Sequence, residues 1–269
     1  MAHADAIGII DAGMGGYTVV REVQRLMPGQ DILYYGDSKN QPYGNRSEDA
    51  ILHMTRQILD VMREEQVKLV AVACNTISTL IEKYQDDYPF PIFSIVEAGA
   101  KAAAESGADK IGVISTVFTD TTGAYANLIK QKRRDITVVS RGCEHLARLI
   151  EHGNFEQELL DAEVKKEIDK VLLEQPVTHL VLGCTHYPYV RENIHRLYPG
   201  LITIDPAAEQ AKILQGYLSA HENSDRNDGL GRFDVYTTGS GEVYRDAARR
   251  MTLYPPQRVE EVPAPNPEK

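Results

Sequence analysis

Nine short runs of mostly branched apolar residues, each separated by a longer stretch, constrain this fold more than any other feature. They span residues 7–11, 31–35, 69–74, 91–96, 111–116, 136–140, 179–184, 201–205 and 233–237. Runs that are apolar at successive positions, rather than alternating, suit strands covered on both faces, as in a parallel sheet. Between them lie stretches with apolar residues three and four apart. The clearest is 47–65, where Ile51, Met54, Ile58, Val61 and Met62 form one stripe behind a capping Ser47. Another covers 161–174 through Val164, Ile168, Val171 and Leu172. Strands alternating with helices predict an α/β fold with right-handed crossovers.

The chain also echoes itself. The run Ile7-Gly8-Ile9-Ile10-Asp11 returns as Ile111-Gly112-Val113-Ile114-Ser115, and Val72-Ala73-Cys74-Asn75-Thr76 returns as Leu182-Gly183-Cys184-Thr185-His186. Glycine to cysteine is 66 residues in the first half and 72 in the second. The echo predicts two similar α/β domains with mainly parallel sheets facing each other across a cleft. Residues 1–97 plus 207–254 are assigned to the first domain and 98–206 to the second. The segment 255–269 holds five of the thirteen prolines without apolar periodicity and reads as an extended, disordered tail. Residues 221–231 read as an exposed polar loop.

Composition excludes several classes of function. Acidic residues outnumber basic ones 39 to 29, a net charge of −10, so a phosphate backbone is a poor partner and no nucleic-acid ligand is expected. No apolar stretch approaches the roughly 20 residues needed to span a bilayer, and no membrane association is expected. The N-terminal residues lack a basic-then-apolar leader pattern, which predicts a cytoplasmic protein.

Three cysteines, Cys74, Cys143 and Cys184, are too few for a disulfide framework and show no zinc-type spacing. In open α/β sheets, ligands gather beyond the carboxyl ends of the strands. Asp11, Asp37, Cys74, Thr116 and Cys184 fall there. Cys74 and Cys184 each end an apolar run and precede a polar turn, whose backbone N–H groups favour a thiolate. Cys143, after Arg141-Gly142, lacks that context and reads as structural. Two thiols facing one carbon can act as a matched base and acid, which suits racemisation. A disulfide-forming pair is the competing reading. Asp11 and His186 are candidate helpers of the thiols, although an aspartate at a strand end also commonly caps a helix. The segment Asp11-Ala12-Gly13-Met14-Gly15-Gly16 lacks the Gly-Lys-Ser/Thr ending of a phosphate loop.

With these residues assembled, the sequence resembles the glutamate racemase family of the aspartate/glutamate racemase superfamily. The segments that carry the resemblance are IGIIDAGMGGYTVVREV (7–23), YYGDSKNQPYG (34–44), VACNTIST (72–79), IGVISTVFTDTTGAY (111–125), LARLIEHG (146–153), LVLGCTHYP (180–188) and YTTG (236–239). The resemblance implies a cofactor-independent, two-base amino-acid racemase that makes D-glutamate from L-glutamate for the bacterial cell wall. It holds no metal and commonly pairs as a homodimer. By motif, Cys74 and Cys184 are the acid–base thiols, with Asp11 assisting Cys74, and His186 and Glu151 assisting Cys184. The implied substrate contacts are Asp11, Pro42, Tyr43, Gly44, Asn75, Thr76, Thr116, Thr119 and Thr185.

Three positions depart from the family pattern. Alanine stands at 12 where serine is usual, and glutamate replaces proline at 97 and at 144. The lost hydroxyl removes a contact to a charged substrate group, and a Glu97 charge near the cleft would disfavour a dicarboxylate. Three readings stand at this point: a glutamate racemase, a sister enzyme acting on another amino acid such as aspartate, and a non-catalytic paralogue that binds an amino acid or a protein.

Overall fold

A computed structural model describes residues 3–151, 156–221 and 229–268. Its strands, in chain order, are β1 (Ile7–Asp11), β2 (Ile32–Gly36), β3 (Leu69–Val72), β4 (Ile92–Ser94), β5 (Lys110–Thr116), β6 (Thr137–Cys143), β7 (His179–Gly183), β8 (Ile202–Ile204), β9 (Phe233–Thr237) and β10 (Arg258–Glu261). Its helices are α1 (Tyr17–Leu26), α2 (Glu48–Glu64), α3 (Asn75–Ser78), α4 (Ile95–Glu105), α5 (Val117–Thr121), α6 (Ala124–Lys132), α7 (Leu146–Glu151), α8 (Gln157–Glu174), α9 (Arg191–Leu197), α10 (Pro206–His221) and α11 (Gly241–Met251). Among the described residues no helix is long and apolar enough to cross a membrane.

The strands form two sheets, both parallel throughout. One has the order β10-β9-β2-β1-β3-β4 and the other β6-β5-β7-β8. Continuous apolar runs become the central strands: every residue of β1, β2, β3 and β9 is buried. The register pairs Ile7 with Ile32 and Leu69, which brings Asp11 opposite Gly36 at the carboxyl edge. In the second sheet Ser115 pairs with Gly183. Both cysteine turns therefore leave the carboxyl edges of their sheets.

The helices follow the apolar spacing. In α2, Ile51, Met54, Ile58 and Met62 are buried together with Leu59, while Val61 is only partly covered. Each fully buried side chain of this size contributes roughly 1.5–3 kcal/mol. The Ser47 hydroxyl accepts the Ala50 N–H at 3.3 Å and caps the helix as its sequence predicts. Helix α8 begins four residues earlier than the 161–174 spacing indicates, and buries Leu160 in addition to Val164, Ile168 and Val171.

The halves share one core. Ile7 and Ile9 of the first sheet, Ile111 and Val113 of the second, and Ala207, Ala211 and Leu214 of α10 belong to a single apolar cluster. The carboxamide of Gln210 on α10 reaches across to donate to the carbonyls of Val72 and Phe93, at 3.1 and 3.0 Å.

The tail corrects the sequence expectation of disorder. Residues 258–261 form β10, paired in parallel with β9. Beyond it, Asn40 donates to the Pro265 carbonyl at 2.8 Å and Gln57 exchanges two hydrogen bonds with the Asn266 backbone. The five prolines flank this strand without entering it, so its N–H groups stay available for pairing. An edge strand reading Arg-Val-Glu-Glu carries too little apolar signal to be seen by pattern. Of the polar segment 221–231, His221 ends α10, and residues 222–228 lie outside the described residues.

Candidate active site

Three chain segments converge where the two sheets present their carboxyl edges. The first is the loop after β1. Asp11 is buried and its Oδ2 accepts the N–H groups of Gly13 and Gly16 at 3.2 and 3.1 Å, which folds the glycine loop back over the strand end. A Cβ at Gly15 would stand 2.4 Å from the Thr185 hydroxyl and 2.9 Å from the His186 ring, so glycine there lets this loop touch the cysteine turn of the other half. Thr185 completes the bridge by donating to Asp11 Oδ1 at 3.3 Å.

The second and third segments carry the thiols. Ala73 continues the β1 ladder one residue beyond β3, and Cys74 then opens α3. Cys184 directly follows β7. Both are free, buried to all but 7% of their surface, and line the same cavity of about 50 Å³. Cys143 is also free and is buried outside that cavity.

The two thiols have different surroundings. Burial pushes the Cys74 thiol well up, and the neighbouring Asp11 charge adds to this; the backbone N–H of Ile77 pulls the other way. Burial likewise pushes Asp11 up to about 6, against the opposing charge of His186 and the two backbone N–H donors. Cys184 lies 3.6 Å from His186 Nδ1, and the opposite ring nitrogen pairs with Glu151. Burial disfavours the imidazolium, but the Glu151 carboxylate and Cys184 outweigh it, so His186 is held well above the usual histidine range. One thiol thus has a buried carboxyl for a neighbour and the other has a carboxylate-backed imidazole.

Eleven residues singled out from sequence line this cavity: Asp11, Pro42, Tyr43, Gly44, Cys74, Asn75, Thr76, Thr116, Cys184, Thr185 and His186. Two do not. Thr119 is buried behind Thr116 and shares a 3.0 Å hydroxyl contact with it, because one helical turn places it beneath the cavity wall. Glu151 reaches the site through His186 and itself lines an adjoining cleft of about 560 Å³. Asp37 is a structural anchor, accepting from Asn40, Tyr43 and Thr238 and so fixing the Tyr43 ring.

Sequence reasoning passed over Gln41 and Ala147, which also line the cavity, and Tyr125, which supports it. The Tyr125 hydroxyl donates to Asn75 Oδ1 at 2.6 Å, while Asn75 Nδ2 is buried without a partner among the described residues. A buried donor left without an acceptor at the wall of a cavity is available to a ligand. Among the described residues, no lysine or arginine lines this cavity, and no cluster of three or more histidine, cysteine, aspartate or glutamate side chains is arranged to hold a metal.

The comparison with known proteins matches the geometry. Residues 16–214 fit the family model described as Asp/Glu/Hydantoin racemase. The chain belongs to this family. It is an isomerase of the amino-acid racemase class. Glutamate racemase 1 of Caldanaerobacter subterraneus subsp. tengcongensis is 39% identical over 243 residues, covering 88% of this chain and 89% of that protein. The solved glutamate racemase isoform RacE1 of Bacillus anthracis superposes with a TM-score of 0.89 at 29% identity, covering 98% of this chain and 99% of that one. The Francisella tularensis glutamate racemase, solved in complex with D-glutamate, gives 0.87 at 28% identity over 96% and 97% of the two chains.

Two departures from the racemase pattern lie away from the thiols. Glu97 is exposed on α4 and Glu144 is exposed on a side cavity of about 160 Å³; neither lines the cavity between the cysteines. The third, Ala12, does line it.

Proposed function

We propose that this chain is a cofactor-independent glutamate racemase that interconverts L- and D-glutamate through Cys74 and Cys184. The observation that carries the reading is the pair of buried thiols on one small cavity, which no described lysine or arginine lines. One sulfur, as thiolate, takes the Cα proton; an S–H bond forms, and the electron pair is left on Cα, delocalised into the α-carboxylate. The other sulfur, as thiol, gives its proton to the opposite face and becomes the thiolate. No electrons are gained or lost, so the balance requires no redox partner. The two sulfurs exchange protonation states at each turnover, and proton transfer with nearby groups resets them.

The neighbours suit that resetting. Asp11, pushed up to about 6, exchanges protons near neutral pH on the Cys74 side. His186, held in its protonated form by Glu151, stands beside Cys184 as the proton donor on that side. Both carboxylates of glutamate would be held by neutral donors: the Asn75 amide, backbone N–H groups, and threonine hydroxyls once turned from their present partners. The naming of the relatives as glutamate racemases supports the substrate. We extend the reading to a cytoplasmic homodimer that supplies D-glutamate for peptidoglycan.

Purified protein with no added cofactor, given each enantiomer of glutamate and of aspartate, tests the reading by chiral chromatography. Interconversion of glutamate in both directions supports it. Activity on aspartate alone would move the chain to a sister substrate, and activity on neither would favour a binding protein.

A further inference from the structure

Alanine at position 12 leaves the cavity one hydroxyl short on the side of the first loop, and the structure shows what stands beside it. The side-chain donors on the cavity wall are largely engaged. The Thr185 hydroxyl donates to Asp11, Tyr43 donates to Asp37, and the hydroxyls of Thr76 and Thr116 bond to each other at 3.0 Å. Two carboxamides are not so engaged. One is the buried Asn75 Nδ2. The other belongs to Gln41, for which only the backbone N–H, donated to the Ser38 carbonyl, enters a hydrogen bond among the described residues.

The Gln41 carboxamide lies directly on the first loop. A Cβ at Gly13 would stand 2.0 Å from Gln41 Nε2 and 2.6 Å from its Cδ, so the glycine next to Ala12 is what admits the amide there. Gln41 borders both the reactive cavity and the 560 Å³ cleft beside it, which sets its side chain where the two spaces meet. Its backbone is pinned by the short helical turn Ser38–Asn40 before it, and by the Tyr43 to Asp37 hydrogen bond after it.

We infer that Gln41 is a substrate-binding residue of this chain, supplying a substrate carboxylate with the N–H contact that Ala12 cannot make. A carboxamide is suited to the task because it donates two hydrogen bonds without adding a base that would compete with the thiols. The inference rests on the glutamate reading above and deepens it, since it names a determinant of carboxylate recognition.

Steady-state racemisation of L-glutamate by wild type, Gln41→Leu, Gln41→Glu, Ala12→Ser and the Ala12→Ser/Gln41→Leu pair tests it, with thermal midpoints measured alongside. Gln41→Leu is expected to raise KM roughly ten- to a hundredfold with little change in kcat or thermal midpoint, as loss of a hydrogen bond to a charged group predicts. Gln41→Glu, which sets a like charge against the substrate, raises KM further. Adding serine at 12 to Gln41→Leu recovers most of the loss, because the hydroxyl restores a donor in the same place. An unchanged KM in Gln41→Leu and Gln41→Glu would overturn the inference while leaving the racemase reading intact. So would a double variant no better than Gln41→Leu. A folded wild type with no activity on glutamate would overturn both.

Discussion

Replacing Tyr125 by phenylalanine deletes one hydroxyl from a fully enclosed position and separates support of the site from support of the fold. The ring is wedged between glycines: a Cβ at Gly99 would stand 2.9 Å from its Cε1 and hydroxyl, and one at Gly183 would stand 3.0 Å from Cε2. Phenylalanine fills the same space, so packing is retained. What is lost is the 2.6 Å donation to Asn75 Oδ1. Leaving that buried acceptor unpaired costs about 1–3 kcal/mol, or a fall in thermal midpoint of about 2–10 °C for a chain of this size. The amide is also freed to turn over and present its oxygen to the substrate carboxylate. Losing that oriented donor predicts a fall in kcat/KM of about tenfold or more, carried by KM. The decisive assay is a double-mutant cycle with Asn75→Ala. Once the amide is gone, Tyr125→Phe should cost no further activity, a coupling of about 1–2 kcal/mol. Equal losses of activity in both backgrounds would refute the positioning role and leave Tyr125 as packing alone.

Further outcomes can be measured on the same protein. Cys74→Ala and Cys184→Ala should each abolish racemisation in both directions while keeping the folded circular-dichroism spectrum; full activity in either would end the two-thiol mechanism. Glu151→Gln removes the charge that raises His186, so any limb of the pH–rate profile due to loss of the histidine proton should move to lower pH, and an unmoved profile would remove His186 from proton transfer. Asp11 binds its proton more tightly folded, at about 6 against 3.8 unfolded, so its contribution to stability falls as pH rises through that interval. Between pH 5 and pH 8 wild type should therefore lose about 1.4 kcal/mol relative to Asp11→Asn, read from urea denaturation at each pH. A difference that does not vary with pH would contradict the burial argument.

Much of this site is legible in the sequence because the fold puts chemistry at strand ends. Runs apolar at every position mark the buried parallel strands, and Asp11, Cys74 and Cys184 follow directly from where those runs stop. The repeated glycine-to-cysteine spacing marks the two halves that bring the thiols to one cavity. Other features depend on contacts distant in sequence. Tyr125 reaches Asn75 across 50 residues, and nothing in its own helix distinguishes it from a core aromatic. Gln41 precedes a recognisable Pro-Tyr-Gly turn, but its role depends on the missing side chain at Gly13. Thr119 sits in a recognisable segment yet is buried behind Thr116. The strand at 258–261 is hidden by its prolines and charges, since its order comes from pairing with β9 rather than from a buried face of its own.

The most direct measurement follows L-glutamate in D₂O at early times, with deuterium at Cα read separately in the L and D pools by chiral separation and mass spectrometry. Two opposed thiols take the proton on one face and deliver a solvent-derived one on the other. The D-glutamate first formed should therefore carry deuterium at Cα, while the L-glutamate that remains still carries protium. D-glutamate formed with its original protium would mean that one group carries the proton across both faces, and would contradict the two-thiol mechanism.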